Sequence, residues 1–158
     1  MAVPDRDELH AELELVSRVE TALREGLYSV RAGAWRANAV SALADAAAER
    51  VLIVGCDFPL VPQALLELLF EKAEGVEAVV PVQADGRVQP LCAVYARSVR
   101  AAVERALAEG RRKASAPLDD LNTLYVQPAE YAQADPGGDA FRNVNTPEEL
   151  REALERIS

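Results

Sequence analysis

Metal-binding and sulfur chemistry are scarce in this sequence of 158 residues, which has one histidine, His10, two cysteines and only 5% aromatics. Cys56 and Cys92 stand far apart and His10 is alone, so there is no C-x-x-C or H-x-x-x-H pair for zinc and no disulfide framework. Both cysteines lie in apolar runs and read as buried free thiols in a reducing cytoplasm. Long apolar stretches are missing too. No run approaches the ~18 residues of a membrane span, and the N-terminus is charged from Asp5 onward, without the apolar core of a signal peptide. A cytoplasmic protein with no membrane partner is expected. Positive charge is in deficit: 17 Lys and Arg against 26 Asp and Glu give a net charge of -9. That disfavours nucleic acid and anionic membrane as partners and leaves small molecules or proteins.

What is present is ample core material. Half of the residues are hydrophobic and 27% are charged, the balance of one compact domain over residues 1–158. Leu9, Leu13, Val16, Val19 and Leu23 recur at helical steps between Asp5 and Gly26, and Trp35, Ala39, Leu43 and Ala47 form a second stripe ending near Arg50. Residues 1–50 therefore read as a helical part. From Val51 the pattern changes. VLIVG is a short, continuously apolar run, expected as a strand covered on both faces. A helix over Pro62–Lys72 and a strand over Glu77–Val82 complete a crossover unit. A turn at Ala84–Arg87, a strand over Leu91–Tyr95, a helix from Ser98 to Gly110, a short helical turn over Ser115–Leu121 and a strand over Thr123–Gln127 follow. Residues 128–139 read as an exposed polar loop. Thr146-Pro147-Glu148-Glu149 is a capping box opening a terminal helix to Ile157. Residues 51–158 thus read as an α/β part, a central sheet with helices on its faces.

Asp57 follows the first strand, which sets its carboxylate at the carboxyl end, where ligand crevices of open α/β sheets lie. A carboxylate there suits Mg²⁺, which takes one or two protein carboxylates and fills its shell with phosphate oxygens and water. The plain alternative is an Asp near a helix N-terminus with no ligand. Asn143 and Asn145 flank Val144, so in an extended segment both amides face one way and can read a heteroaromatic ring. They are expected on the crevice side near Asp57. Stabilising the loop backbone is the other use of such residues. Arg112 and Lys113, with Arg111, either meet phosphates or complement the dipole of the preceding helix. Asp119 and Asp120 read as solvated acids on a short turn.

The runs VLIVGCDFPLVP, QPLCAVY and FRNVNTPEEL resemble, in order and spacing, the second half of the molybdenum cofactor guanylyltransferases of the nucleotidyltransferase superfamily. EGRRKASAPLDDL resembles their basic segment. The resemblance covers residues 51–158 and implies a three-layer, Rossmann-like α/β nucleotidyltransferase domain. It implies that Asp57 is the catalytic, Mg²⁺-binding residue, that Asn143 and Asn145 belong to a pterin acceptor pocket, and that Arg112 and Lys113 serve ligand binding. The implied reaction transfers GMP from GTP to molybdopterin with release of pyrophosphate, so GTP and molybdopterin are the implied partners.

The family also begins with a strand and a glycine-rich loop, L-A-G-G-x-S-x-R-M-G-x-D-K, whose amides cradle the triphosphate. Nothing in this sequence matches it, so the expected fold is incomplete or rearranged at its N-terminus. Three readings stay open: an active guanylyltransferase, a noncatalytic molybdenum cofactor binding or assembly module, and a nucleotidyltransferase for another base or acceptor. The helical first part either packs on the sheet or exchanges with a second subunit, which would make a homo-oligomer.

Overall fold

The computed structural model describes residues 49–55 and 57–157. The two N-terminal helices and the burial of Cys56 expected above lie outside those residues.

Among the described residues, four strands form one sheet: β1 (Arg50–Val54), β2 (Ala78–Pro81), β3 (Cys92–Ala96) and β4 (Thr123–Val126), in the order β1-β3-β2-β4. β3 runs antiparallel to both β1 and β2, whereas β4 is parallel to β2. β1, β2 and β4 therefore share one direction, and their carboxyl ends meet on one edge of the sheet. Helix α1 (Gln63–Glu71) connects β1 to β2, and α2 (Arg100–Ala108), entered through the 3₁₀ turn Arg97–Val99, follows β3. A second 3₁₀ turn, Ala116–Asp120, leads to β4, and a short helix α3 (Pro128–Tyr131) and a longer α4 (Pro147–Ile157) follow it.

The pleat of β2 divides the core. Ala78 and Val80 join Val51, Ala93, Tyr95, Val99, Val103 and Leu118 on one face, under α2. Val79 points the other way and joins Val94, Val126, Leu65, Leu69 and Tyr131, under α1. Successive side chains of a strand alternate between faces, so an unbroken apolar run such as 78–82 is what a sheet covered on both sides requires. This is the three-layer α/β arrangement expected from the sequence.

The first strand, expected to be covered on both faces, packs into both layers, Val51 and Ile53 on the α2 side and Leu52 on the α1 side, although among the described residues it is the end strand of the sheet, laddered to β3 alone. Val51 is buried, Leu52 and Ile53 are half-buried, and Val54 is 40% exposed. The segment 128–139 is only partly an exposed loop. Pro128–Tyr131 is helical, closed by a capping box in which the Glu130 carboxylate accepts from the Gln127 backbone N–H at 2.8 Å. Tyr131 is buried, and its hydroxyl donates to the Val82 carbonyl at 2.8 Å.

Candidate functional site

Where β1 ends, the chain turns sharply, and the turn is the reason for Gly55. A Cβ there would stand 2.5 Å from Asp57 Oδ1 and 3.2 Å from the Phe58 ring. The Gly55 N–H donates to the Leu91 carbonyl at 2.6 Å, and the Phe58 N–H returns to the Gly55 carbonyl at 3.2 Å. Asp57 is half-buried at the carboxyl end of β1 and Phe58 is buried beside it.

A distant segment holds this turn from the other side. The Asn143 amide Nδ2 donates to Asp57 Oδ2 at 2.9 Å, and the Val144 N–H donates to the Asp57 carbonyl, also at 2.9 Å. Phe141, two residues before Asn143, stacks edge-to-face on Phe58 with centroids 6.2 Å apart and on Tyr131 at 5.9 Å. The ring edge is the positive part of an aromatic quadrupole and the face the negative part, so such contacts fix direction as well as burying area. Asp57 thus has main chain, carboxylate and neighbouring ring each tied to residues 141–144. Its Oδ1 accepts no hydrogen bond from the described residues.

Around this clamp lies an open cleft of about 550 Å³, lined by Asp57, Phe58, Asn143, Ala114 and the run 86–91. That run belongs to the hairpin joining β2 to β3. Gly86, at a φ of 83°, makes its turn, the Gln83 N–H donates to the Arg87 carbonyl at 2.8 Å, and Val82 bridges Val88. A positive φ suits glycine because it has no Cβ to clash. Among the described residues, Arg87 is the one cationic residue of the lining. The Ala84–Arg87 turn was recognised in the sequence, but not Arg87 as a wall of the site; the signal was a cation beside a turn glycine, just past a strand's carboxyl end.

The residues expected to act are brought together only in part. Asp57 and Asn143 meet at the cleft. Asn145 does not line it: its side chain is exposed and its backbone N–H donates to Glu149 Oε2 at 2.7 Å, within the cap of α4. Arg112 and Lys113 are exposed next to Ala114 and outside the lining. Arg111 has structural work, reaching Asp120 Oδ2 at 2.5 Å, the Ala116 carbonyl at 2.8 Å and Glu109 at 2.9 Å. The Arg111 guanidinium holds the Asp120 carboxyl below its usual range, so Asp120 is an ion-pair partner and not merely a solvated acid.

Among the described residues, the donor set of the cleft offers carboxylate oxygen and no thiolate or imidazole, which fits a hard divalent cation better than a soft one. No group of three or more His, Cys, Asp or Glu gathers to hold a metal among the described residues. A single free carboxylate oxygen suits an ion that takes most of its ligands from phosphate and water, as Mg²⁺ does. No helix of the described residues is long and apolar enough to cross a membrane.

Comparison with known proteins places this geometry. The sequence pattern of the MobA-like NTP transferase domain matches residues 10–123, a span that includes Asp57 and the hairpin. A probable molybdenum cofactor guanylyltransferase of Bacillus licheniformis is 35% identical over 134 residues, 84% of this chain and 67% of the relative. One from Methanosarcina mazei is 30% identical over 113 residues, 71% of this chain and 50% of the relative. The chain thus spans about half the length of some of the curated relatives it matches. The crystal structure of molybdopterin-guanine dinucleotide biosynthesis protein A from Archaeoglobus fulgidus superposes with a TM-score of 0.66 at 32% identity, covering 96% of this chain and 75% of that one. With a carboxylate presented at the strand ends of a three-layer sheet, and with these matches, the chain belongs to the MobA-like NTP transferase family.

Proposed function

We propose that this protein works as a molybdenum cofactor guanylyltransferase, joining GMP from GTP to the phosphate of molybdopterin and releasing pyrophosphate. The observation that carries the reading is Asp57, fixed at the rim of the cleft with one carboxylate oxygen tied to Asn143 and the other accepting no hydrogen bond from the described residues. An oxygen of the acceptor phosphate attacks the α-phosphorus of GTP, and the bond from that phosphorus to the bridging oxygen of pyrophosphate breaks. Phosphoryl and nucleotidyl transfer need no covalent nucleophile from the protein; positioning and charge compensation are the work to be done. Mg²⁺ bound at Asp57 would supply the charge compensation.

The chain's own part is orientation. Asn143 spends its NH₂ on Asp57 and keeps its amide carbonyl for the donor groups of a pterin edge, so one residue serves the carboxylate and the acceptor together. Asn145 stands one turn of chain further on and is assigned to the cap of α4 rather than to the acceptor. Arg112 and Lys113, exposed beside Ala114, are placed to meet a ligand that projects beyond the described cleft.

Calorimetric titration of GTP with and without Mg²⁺ tests the reading. Mg²⁺-dependent binding is expected, and Asp57→Asn should weaken it while leaving the melting temperature nearly unchanged, because Asn keeps an oxygen that accepts from Asn143. Equal Mg²⁺-dependent affinity in wild type and mutant would remove Asp57 from the site. Absence of GTP binding in the wild type, with pterin binding retained, would favour the noncatalytic acceptor-binding module, and tight binding of CTP in place of GTP would favour a transferase for another base.

A further inference from the structure

We infer that Arg87 is the phosphate-binding residue of the cleft, a role for which the sequence had offered Arg112 and Lys113. Among the described residues, Asp57 and Arg87 are the charged residues of the lining. In a chain of net charge -9, a phosphorylated ligand entering beside Asp57 meets repulsion unless a cation stands with it. Arg87, in an exposed ion pair with Asp85, is the cationic side chain that the described lining offers beside Asp57, and the hairpin presents it already oriented. Its Nε donates to Asp85 Oδ2 at 2.7 Å, its backbone N–H to Asp85 Oδ1 at 3.0 Å, and Nη2 to Gln83 Oε1 at 3.1 Å.

These contacts occupy one edge of the guanidinium. Arginine has five N–H donors in a planar fork, and Nη1 makes no hydrogen bond to the described residues. The side chain is 72% exposed, so a ligand can reach it. Orientation by Asp85 and Gln83 removes rotamer freedom before binding, which lowers the entropic cost of making a charge-assisted contact to phosphate. The Gly55 N–H bond to the Leu91 carbonyl ties the far end of the same hairpin run to the turn that carries Asp57. The hairpin that carries Arg87 and the turn that carries Asp57 are thereby joined through the main chain.

The ligand chemistry is a phosphate group, from the acceptor's phosphate monoester or from the nucleotide; only this choice of source rests on the nucleotidyl-transfer reading. The test follows the Arg87 side-chain N–H resonances by NMR during titrations with inorganic phosphate, a pterin phosphate monoester, the same pterin without phosphate, and GTP with Mg²⁺. Saturable shifts with the phosphorylated compounds and none with the bare pterin are expected. A response to the pterin phosphate alone assigns Arg87 to the acceptor, and a response to GTP alone assigns it to the nucleotide. Arg87→Gln should weaken the phosphate-bearing ligand by about tenfold or more, the loss expected for a hydrogen bond to a charged group, and leave the bare pterin unaffected. Arg87→Lys, which keeps charge without the fork, should recover part of it. Unmoved Arg87 resonances in every titration, or equal affinities in wild type and Arg87→Gln, would overturn the inference. Failure of the wider functional reading looks different: Arg87 answers to inorganic phosphate while GTP binding shows no dependence on Mg²⁺ or Asp57.

Discussion

Cys92 shows how a single side chain carries the chemistry of the core. It is fully buried in β3, and burial pushes its thiol up to about 12 from an ordinary 9.0. Tyr95 on the same strand is raised as well, first by burial and then by its charged-state neighbours. A group that stays protonated in the folded state but ionises once unfolded stabilises the fold fully below its unfolded value. That contribution fades as pH climbs towards the folded value. Stability should therefore fall between pH 9.0 and about 12, and Cys92→Ala should flatten part of that slope in denaturant melts taken across the range. The native thiol should also resist alkylation, because the thiolate is the reactive form. Asp57, Asn143 and the cleft's Arg87 differ in legibility. The position of Asp57 at the cleft was readable because a strand end is a local signal, whereas the paired amides before the cap pointed equally to Asn143, which lines the cleft, and to Asn145, which does not. Arg87 as a wall of the cleft was not readable, because only the fold-back of the hairpin towards β1 brings it there, and a cation beside a turn glycine is too common a local pattern to mark it.

Elements follow the same division between local and distant causes. α4 was legible to within a residue: the Glu149 N–H donates to Thr146 Oγ1 at 3.2 Å, and Glu149 Oε2 accepts from the N–H groups of Asn145 and Thr146 at 2.7 and 3.0 Å. Those backbone donors, the Asn145 N–H foremost, hold the Glu149 carboxyl below its usual range. Thr146→Ala should cost about 0.5–2 kcal/mol, the usual loss of an N-cap, read as a lower denaturant midpoint. The Glu149 contribution has the acid sign: it is present above the unfolded carboxylate value and disappears as pH falls through the lowered folded one, so Glu149→Gln should matter at neutral pH and not in strong acid. By contrast α3 escaped notice at four residues, too short for periodicity. Its Gln127-Pro128-x-Glu130 pattern, Pro at the first position and an acid at the third, was the available signal. The position of β1 at the end of the described sheet had no local signature at all, since strand order is set by which ladders close and an apolar run looks alike at either place.

At the scale of the molecule, the two faces of the sheet make one cooperative unit, with β2 and β3 contributing to both core clusters. Leu65 is fully buried between α1 and the sheet. Leu65→Ala should cost about 2–5 kcal/mol, the range for truncating a packed leucine, and a single sharp unfolding transition should persist at a lower midpoint. Ion pairs at the rim matter less individually. Lys72 with Glu130 at 2.9 Å and Arg142 with Glu152 at 2.9 Å join exposed partners, the class that contributes little in water. The tie between Asp57 and Asn143 has a consequence in time. Its partners are 86 residues apart, so a chain growing on the ribosome completes β1 long before the segment that steadies its terminal carboxylate has been made. All four strands of the described residues precede Asn143, so that sheet can assemble while Asp57 still lacks this hydrogen bond, and the cleft gains its Asn143 wall only as the last part of the chain docks. Under the proposed function, a half-made protein would therefore hold an unfinished site, and the final stretch before α4 would be the point at which folding and function are joined.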